Sequence, residues 1–474
     1  MKEKNEKAIT IASLLLKRLN TAGFEAYLVG GCVRDMIMGI EPEEYKAVDV
    51  DIASSAAPHE AEKVFCDMNI AETGIKHGTI TVTAPKDHIA KVSAAESILF
   101  KGGWNAEITT FRCDGSYSDG RHPDEVGFVS TIEEDLSRRD FTMNALACDA
   151  EGNILDLFGG KEDISRRVIR AVGDPERRFR EDALRIMRAL RFAACLGFDI
   201  EEETERAAFE CRALLKNISA ERFFGEFRRL AAGKYAGKVI RKYTEIIGEI
   251  MPELLRMKGF SQNNPYHKYD VLEHCIRTME KIKTTKENRE YMRIAALIHD
   301  IGKPDTYSED EKGMGHFYDH ASAGNVKAER LLRRMKADKS TIKRICTIIK
   351  YHSLIFEKDE ALLKKWMNRF TPAVLFEILE LKKADNYATG NMSAELLRKF
   401  DDVEIMMERI LDESQCFSLK DLAVNGDDMI ALGIERGPEI GEMLKALLDM
   451  VIEENAANER SVLLEEAGRL RDET

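Results

Sequence analysis

The sequence predicts an α+β protein in which a small mixed sheet with helices is followed by a long, nearly all-helical remainder. Three observations carry this reading. Short apolar alternations bounded by glycine and polar turns recur within residues 20–155. Beyond Gly160 the apolar spacing is helical almost throughout. Gly248, Pro252, Gly259 and Pro265 then cluster as a boundary ahead of a histidine-rich block.

Taken in order, Lys2 to about Asn20 is expected to be a helix with Ile9, Ala12, Leu16 and Leu19 on its apolar face. A strand Glu25–Val29 runs into Gly30-Gly31, and helical spacing resumes at Val33–Met38 until Gly39. The polar stretch Ile40–Val48 leads to a strand Asp49–Ala53, followed by a helix His59–Met68 and strands near Thr79–Thr83 and Ala106–Phe111. Asp114–Asp124 is rich in Gly, Asp and Ser and reads as a mobile loop. Ile132–Ala147 has a helical pattern, and Phe179–Leu196 reads as one continuous helix. Four segments result: 1–155, 156–247, 248–400 and 401–474.

Composition bounds the partners. The 474 residues allow several domains with their own cores. A formal charge of −13 means that any polyanion must be met by local basic patches. Nine cysteines without a CxxC pair point to reduced thiols in a cytoplasmic protein. No stretch has the length and apolarity of a signal peptide or membrane span.

The chemistry concentrates first at Leu28–Asp35 and Asp49-Val50-Asp51. A strand entering a glycine turn and a helix start points backbone N–H groups at an anion. Period-2 alternation puts Asp49 and Asp51 on one strand face, where two carboxylates can hold Mg²⁺ beside a triphosphate. Glu107, on a neighbouring strand, is a candidate third carboxylate, with a surface acid as its plain alternative. Arg34, Arg139 and the series Asp182, Arg185, Arg188, Arg191 supply positive charge. A three-residue step on a helix drifts by about 60°, so this series is expected to wind as a spiral stripe. Asp182 and Arg185 suit the amino donor and ring-nitrogen acceptor that cytosine and adenine share on their pairing edges. The plain alternative for the two is an i,i+3 ion pair worth a few tenths of a kcal/mol.

The segments LVGGCVRD (28–35), DVDIA (49–53), SRRDFTMNA (137–145) and GDPERRFREDALRIMRALRF (173–192) together resemble the class II CCA-adding enzymes and bacterial poly(A) polymerases. These are tRNA nucleotidyltransferases of the DNA polymerase β superfamily. The resemblance implies a polymerase-β-like head over 1–155 and a helical neck over 156–247. It also implies contacts of Gly30, Gly31, Arg34 and Arg139 with ATP or CTP, Mg²⁺ on Asp49 and Asp51, and an amino-acid template made by Asp182 and Arg185 with Arg188 and Arg191 nearby. Ile40–Val48 is a few residues longer than the usual connection. The segment YSDGRHPDEVGF (117–128) is similar to the loop that lets CCA-adding enzymes switch from C to A. With the acidic chain end, that favours CCA addition to tRNA. Poly(A) synthesis, CC-only or A-only addition, and a non-catalytic RNA-binding regulator remain as alternatives.

Six of the ten histidines fall between His267 and His352, more than packing explains. ALIHDIGKP (296–304), with a histidine upstream and an aspartate downstream, resembles the HD phosphohydrolase superfamily. The resemblance implies His274, His299, Asp300 and Asp385 as ligands of a divalent metal of unstated identity, with His320 and His352 extending the set. Phosphohydrolysis, for instance of 2′,3′-cyclic phosphates at RNA ends, competes with a helical body that braces tRNA over 248–400, with a helical tail over 401–474. His316 is expected one helical turn from His320. Gly426-Asp427-Asp428 is read as a helix cap, with Asp providing the cap, rather than a further acidic site. Lys234–Lys242 and Arg333–Lys336 are candidate phosphate contacts, with solvated helix faces as the alternative.

Overall fold

The computed structural model describes residues 2–40, 48–75, 78–84, 103–114, 126–265, 267–389 and 394–472. Two compact units result, Met1–Ile250 and Met251–Thr474.

In the first unit, α1 (Lys2–Thr21) leads into β1 (Ala26–Val29), α2 (Gly31–Met38), β2 (Val48–Ser54), α3 (Pro58–Val64), β3 (Asn69–Gly74), β4 (Thr79–Thr83) and β5 (Trp104–Thr110). The face that α1 buries is Ile11, Ala12, Leu15, Leu16 and Leu19, while Ile9, expected inside, is 46% exposed. After β6 (Arg112–Asp114), β7 (Val126–Phe128) and α4 (Ile132–Ser137) come β8 (Leu146–Cys148) and β9 (Ile154–Asp156). The main sheet has the order β3-β4-β5-β2-β1-β8-β9, with β2 and β5 parallel and the other neighbours antiparallel. Its register sets Asp51 opposite Glu107 and Asp49 opposite Asn105. The mixed sheet is as expected, with β3 and β9 additional edge strands, and the polar sequence of β3, NIAETG, gave little signal.

Two expected helices are interrupted. Ile132–Ala147 is α-helical only to Ser137, with a single 3-10 turn at Thr142–Asn144, because Phe141 is extended and bridges to Ala171, and Leu146–Cys148 pairs with β1. A fully buried three-residue strand gives neither period-2 nor period-3.6 contrast, so sheet pairing outweighs the apparent helical spacing. After α5 (Gly160–Arg166) and β10 (Val168–Ile169), the expected helix Phe179–Leu196 is two: α6 (Pro175–Glu181) and α7 (Leu184–Leu196). Asp182 lies between them with φ −143° and ψ 103°, and its Oδ1 accepts from the Leu184 N–H at 3.0 Å, as side chains that open helices do. β11 (Asp199–Ile200) pairs with β10, and α8 (Glu202–Glu210), α9 (Ala220–Ala232) and α10 (Ala236–Gly248) complete the unit. α7 packs on α9 and α10 through residues such as Ile186, Met187, Leu190, Phe223 and Phe227, each worth about 1.5–3 kcal/mol of apolar burial.

The second unit is helical apart from one hairpin. It runs α11 (Pro252–Met257), α12 (Val271–Lys281), α13 (Arg289–Ile298), α14 (Lys303–Thr306), β12 (Tyr307–Glu309), β13 (Gly315–Phe317), α15 (His320–Arg334), α16 (Lys339–Tyr351), α17 (Glu360–Phe370), α18 (Pro372–Thr389), α19 (Ala394–Asp412), α20 (Gly426–Ala431), α21 (Pro438–Ile452) and α22 (Arg460–Asp472). α12, α13, α16 and α18 pack together around Ile294, Leu297, Ile345, Ile349 and Leu381. Val424, Met429, Leu447, Leu463 and Ala467 form the core of the tail. The cap of α20 is Asn425, with Asp428 reciprocating and pairing with Arg460 at 2.6 Å, so the turn is structural as expected but its cap is not an aspartate.

Candidate active site and histidine cluster

In the first unit a cavity of about 970 Å³ opens where β1 ends, between the sheet, the segment after α4, and α7. Gly30, Gly31, Arg34, Asp51, Glu107, Arg139, Asp182, Arg185, Arg188 and Arg191 all line it. Asp51 and Glu107 are both exposed toward solvent and adjacent in register. Asp49 is placed by backbone register only, two residues earlier on β2. The glycine turn has a steric reason: Gly30 has φ 70°, and a Cβ there would come 3.1 Å from Arg139 Nη1. A Cβ on Gly31 would lie 3.5 Å from Arg34 Nη2. Beside them, burial and the Asp51 carboxylate push the Cys32 thiol up to about 12, so it stays protonated at neutral pH.

The cations are held by a buried scaffold. Arg34 donates to Asp35 through Nε and Nη2, at 2.8 and 2.7 Å, and through Nη1 to Asn144 Oδ1 at 2.8 Å. Asn144 donates to Asp140 Oδ1, and Asp140 Oδ2 receives Arg188 at 2.7 Å. Burial alone would raise the Asp140 pKa, but Arg188 and the hydrogen bonds from Asn144 and Phe141 hold it below the usual carboxylate range. Asp135, 1% exposed, receives both Arg138 and Arg139, which likewise outweigh burial and hold its pKa down. Phe192 presents its ring to Arg34, Arg188 and Arg191, with guanidinium carbons 5.2, 5.6 and 4.1 Å from its centroid.

Asp182 and Arg185 both reach the cavity but do not pair. Asp182 Oδ2 accepts from Arg222 at 2.8 Å, whereas Arg185 donates to Glu181, to the Arg178 carbonyl and to the Arg138 carbonyl. The expected spiral is therefore corrected: three arginines share α7, and Asp182 stands on the interhelix turn, where its orientation is set by its own cap and by Arg222.

In the second unit α12, α13, α15, α16 and α18 bring His274, His299, Asp300, His320, His352 and Asp385 together. His274 Nε2 lies 2.9 Å from Asp385 Oδ1 and 3.5 Å from Asp300 Oδ2, and His299 Nε2 lies 3.3 Å from Asp300 Oδ2. His320 Nε2 is 3.2 Å from His352 Nε2 and 3.5 Å from Asp300 Oδ1. The potential donor atoms of His274, His299 and Asp300 lie within 4.8 Å of one another, as do those of Asp300, His320 and His352. His299, His320 and His352 each turn Nδ1 to a backbone carbonyl, of Ala296, Phe317 and Ile349, which leaves Nε2 for the shared centre. His299 Nε2 and Asp300 Oδ1 are buried without a hydrogen-bond partner, while Asp300 Oδ2 is engaged by Lys303, so the two free donor atoms fit a divalent cation. Burial pushes His352 down to about 3, which keeps it neutral, while the Asp300 carboxylate overcomes burial and raises His299. Lys303 Nζ lies 2.7 Å from Asp300 Oδ2. His267 is beside His274 with ring centroids 5.3 Å apart. His316 is on β13 rather than one helical turn from His320, and it lies 3.2 Å from Asp310 while lining the same cavity as His320, His352 and Asp385.

Three stretches of the chain match known families. Residues 26–170 match the Poly A polymerase head domain, 197–256 a probable RNA and SrmB-binding site of polymerase A, and 306–467 a tRNA nucleotidyltransferase domain 2. The CCA-adding enzyme of Streptococcus mutans is 32% identical over 95% of this chain and 94% of its own. That of Lactobacillus delbrueckii subsp. bulgaricus is 33% identical over 97% of both. This chain belongs to the CCA-adding enzyme family. Among solved structures, the Bacillus stearothermophilus CCA-adding enzyme in complex with CTP aligns with a TM-score of 0.65 at 29% identity, covering 98% of this chain and 99% of that one.

Membership in the CCA-adding family makes the chain a nucleotidyltransferase and agrees with the fold class expected from sequence. The scaffold residues Asp135, Asp140, Asn144, Phe192 and Arg222 were not singled out from the sequence. A signal existed for three of them, since Asp140 and Asn144 lie inside SRRDFTMNA and Phe192 ends GDPERRFREDALRIMRALRF. Tyr117–Asp124, in the expected switching loop, is outside the described residues. Among the described residues no helix is long and apolar enough to cross a membrane, and the described cysteines are free thiols.

Proposed function

We propose that this member of the CCA-adding family joins CMP and AMP from CTP and ATP to the tRNA 3′ end in the first-unit cavity. The observation that supports it is the convergence in that cavity of the glycine turn, Asp51, Glu107, Asp182 and Arg185. Asp49 and Asp51, with Glu107 adjacent, would hold Mg²⁺. Bound there, Mg²⁺ supplies charge neutralisation for the attacking hydroxyl and the departing pyrophosphate. Gly30 and Gly31 leave room for a triphosphate, and Arg34 and Arg139, oriented by Asp35, Asn144 and Asp135, neutralise it. Asp182, its rotamer set by the Leu184 N–H and Arg222, accepts from the exocyclic amino group of cytosine or adenine. Arg185 donates to the ring nitrogen. Guanine and uracil offer a carbonyl and a ring N–H instead and mismatch both contacts. Arg188 and Arg191 line the same wall.

In the second unit His274, His299, Asp300 and Asp385, extended by His320 and His352, would hold one or two divalent ions for phosphohydrolysis of RNA ends. The buried Asp300 Oδ1 and His299 Nε2, which lack hydrogen-bond partners, support this.

The deciding experiment offers tRNAs lacking CCA, CA or only A with all four nucleotides and sequences the products. Growth that stops after one terminal A is expected. Growth beyond one A indicates poly(A) synthesis; missing C or missing A indicates A-only or CC-only addition; no growth indicates a regulator. Asp182→Ala and Arg185→Ala are expected to relax nucleotide choice, and unchanged selectivity removes them from the template.

A further inference from the structure

α16, KSTIKRICTIIKY, contains no acidic residue although acids outnumber bases 84 to 71 in the chain. Its Lys339, Lys343 and Lys350 line a groove of about 490 Å³ against α15, with Arg333 on the facing wall. The three lysines are exposed, and no carboxylate pairs with them among the described residues. The nearby cations are spent otherwise: Arg333 on Glu329, Arg334 on Glu253 and Arg344 on Glu377. Glu329, already engaged by Arg333, is the groove's only acid among its lining residues. From Lys339 to Lys350 the helix extends roughly 16 Å, a row rather than a point of charge. A row of unpaired lysines on an acidic protein fits an extended polyanion better than a single phosphate.

We infer that the α15–α16 groove binds the sugar–phosphate backbone of the RNA substrate and is one of the places where this acidic chain grips it. The inference rests on tRNA being that substrate. Contacts of this kind position an RNA without reading its sequence, so they act on affinity and leave nucleotide choice alone. α15 begins at His320 and α16 is followed directly by His352, so the helices that carry the groove also carry two of the clustered histidines.

The test is binding of a tRNA lacking CCA, measured from 50 to 300 mM salt, for wild type and for the triple variant Lys339→Gln, Lys343→Gln, Lys350→Gln. Each lost phosphate contact removes roughly 0.7–0.9 from the slope of log K against log salt, so the triple variant is expected to be shallower by about 2–3. Its affinity at 50 mM salt is expected to fall by at least about tenfold. The KM for tRNA rises while the KM for CTP stays put, and Lys→Arg replacements restore binding. The control Lys281→Gln, Lys283→Gln, Lys286→Gln removes the same charge elsewhere and is expected to leave the slope within experimental error. If the triple variant is unstable to heat, each single replacement is expected to lower the slope by about 0.7–0.9. A wild type that binds tRNA, with an unchanged slope in the groove variant or an equal change in the control, overturns the groove. A wild type that does not bind tRNA overturns the substrate reading itself.

Discussion

Replacing Asp140 by Ala tests whether the arginines of the cavity depend on the scaffold behind them. Asp140 is 9% exposed and accepts from Arg188, Asn144 and the Phe141 N–H, and Asn144 in turn accepts from Arg34. Breaking a buried charge pair costs about 3–5 kcal/mol because the partner charge remains without compensation. Arg188 has a third of its side chain open to the cavity, so water recovers part of that and about 2–3 kcal/mol is expected. For a unit of this size, 1 kcal/mol moves Tm by about 2–4 °C, so its transition should fall by about 4–12 °C. The assay is a double-mutant cycle of Asp140→Ala, Arg188→Ala and the combination, followed by thermal unfolding. A coupling energy of about 1.5–3 kcal/mol is expected, and additivity within about 0.5 kcal/mol refutes the reasoning. Activity adds a second readout, because Arg34 loses its anchor through Asn144 and KM for the nucleotide should rise.

Four further outcomes follow from the same geometry. Asp51→Asn should lower transfer by at least about 10²-fold while any phosphohydrolase activity of the second unit persists; joint loss contradicts independent sites. Gly30→Ala must take φ 70° and displace Arg139, so a stability loss of about 1–3 kcal/mol and a raised KM for nucleotide are expected; an unaltered KM refutes the close-approach argument. Asp135 and Asp140 have pKa values held below their unfolded value, so they stabilise the first unit above about pH 4. That stability is lost as pH falls further, and Asp140→Asn should flatten the acid limb of Tm against pH; an unchanged limb removes it as a cause. Asp300→Ala should abolish binding of a divalent ion by the second unit, read by elemental analysis after dialysis, and retained stoichiometry contradicts the ligand set.

Much of the fold could be read from local pattern. The strand into Gly30-Gly31, the alternation of Asp49 and Asp51, the strand Thr79–Thr83 and the break near Gly248 each leave a mark within a few residues. Local pattern misled where long-range pairing decided. Leu146–Cys148 looks helical beside α4 and becomes a strand because β1 needs a partner. Asp182 looks like a helix residue and becomes a turn because its carboxylate opens α7.

The candidate residues themselves were legible for a chemical reason: glycines at a turn, paired acids and clustered histidines are residue types whose cost in a core demands a use. Sequence alone singled out the groups proposed to meet phosphate, metal and base. Only the tertiary structure decided how they are held. Asp135 and Glu181 hold their arginines one helical turn away, but Arg188 reaches Asp140 across 48 residues, Arg222 reaches Asp182 across 40, and Arg34 reaches Asn144 across 110. No periodicity records such separations. Guanidinium groups in a cavity repel one another unless buried carboxylates neutralise them, and that compensation exists only once the sheet, α4 and α7 have come together.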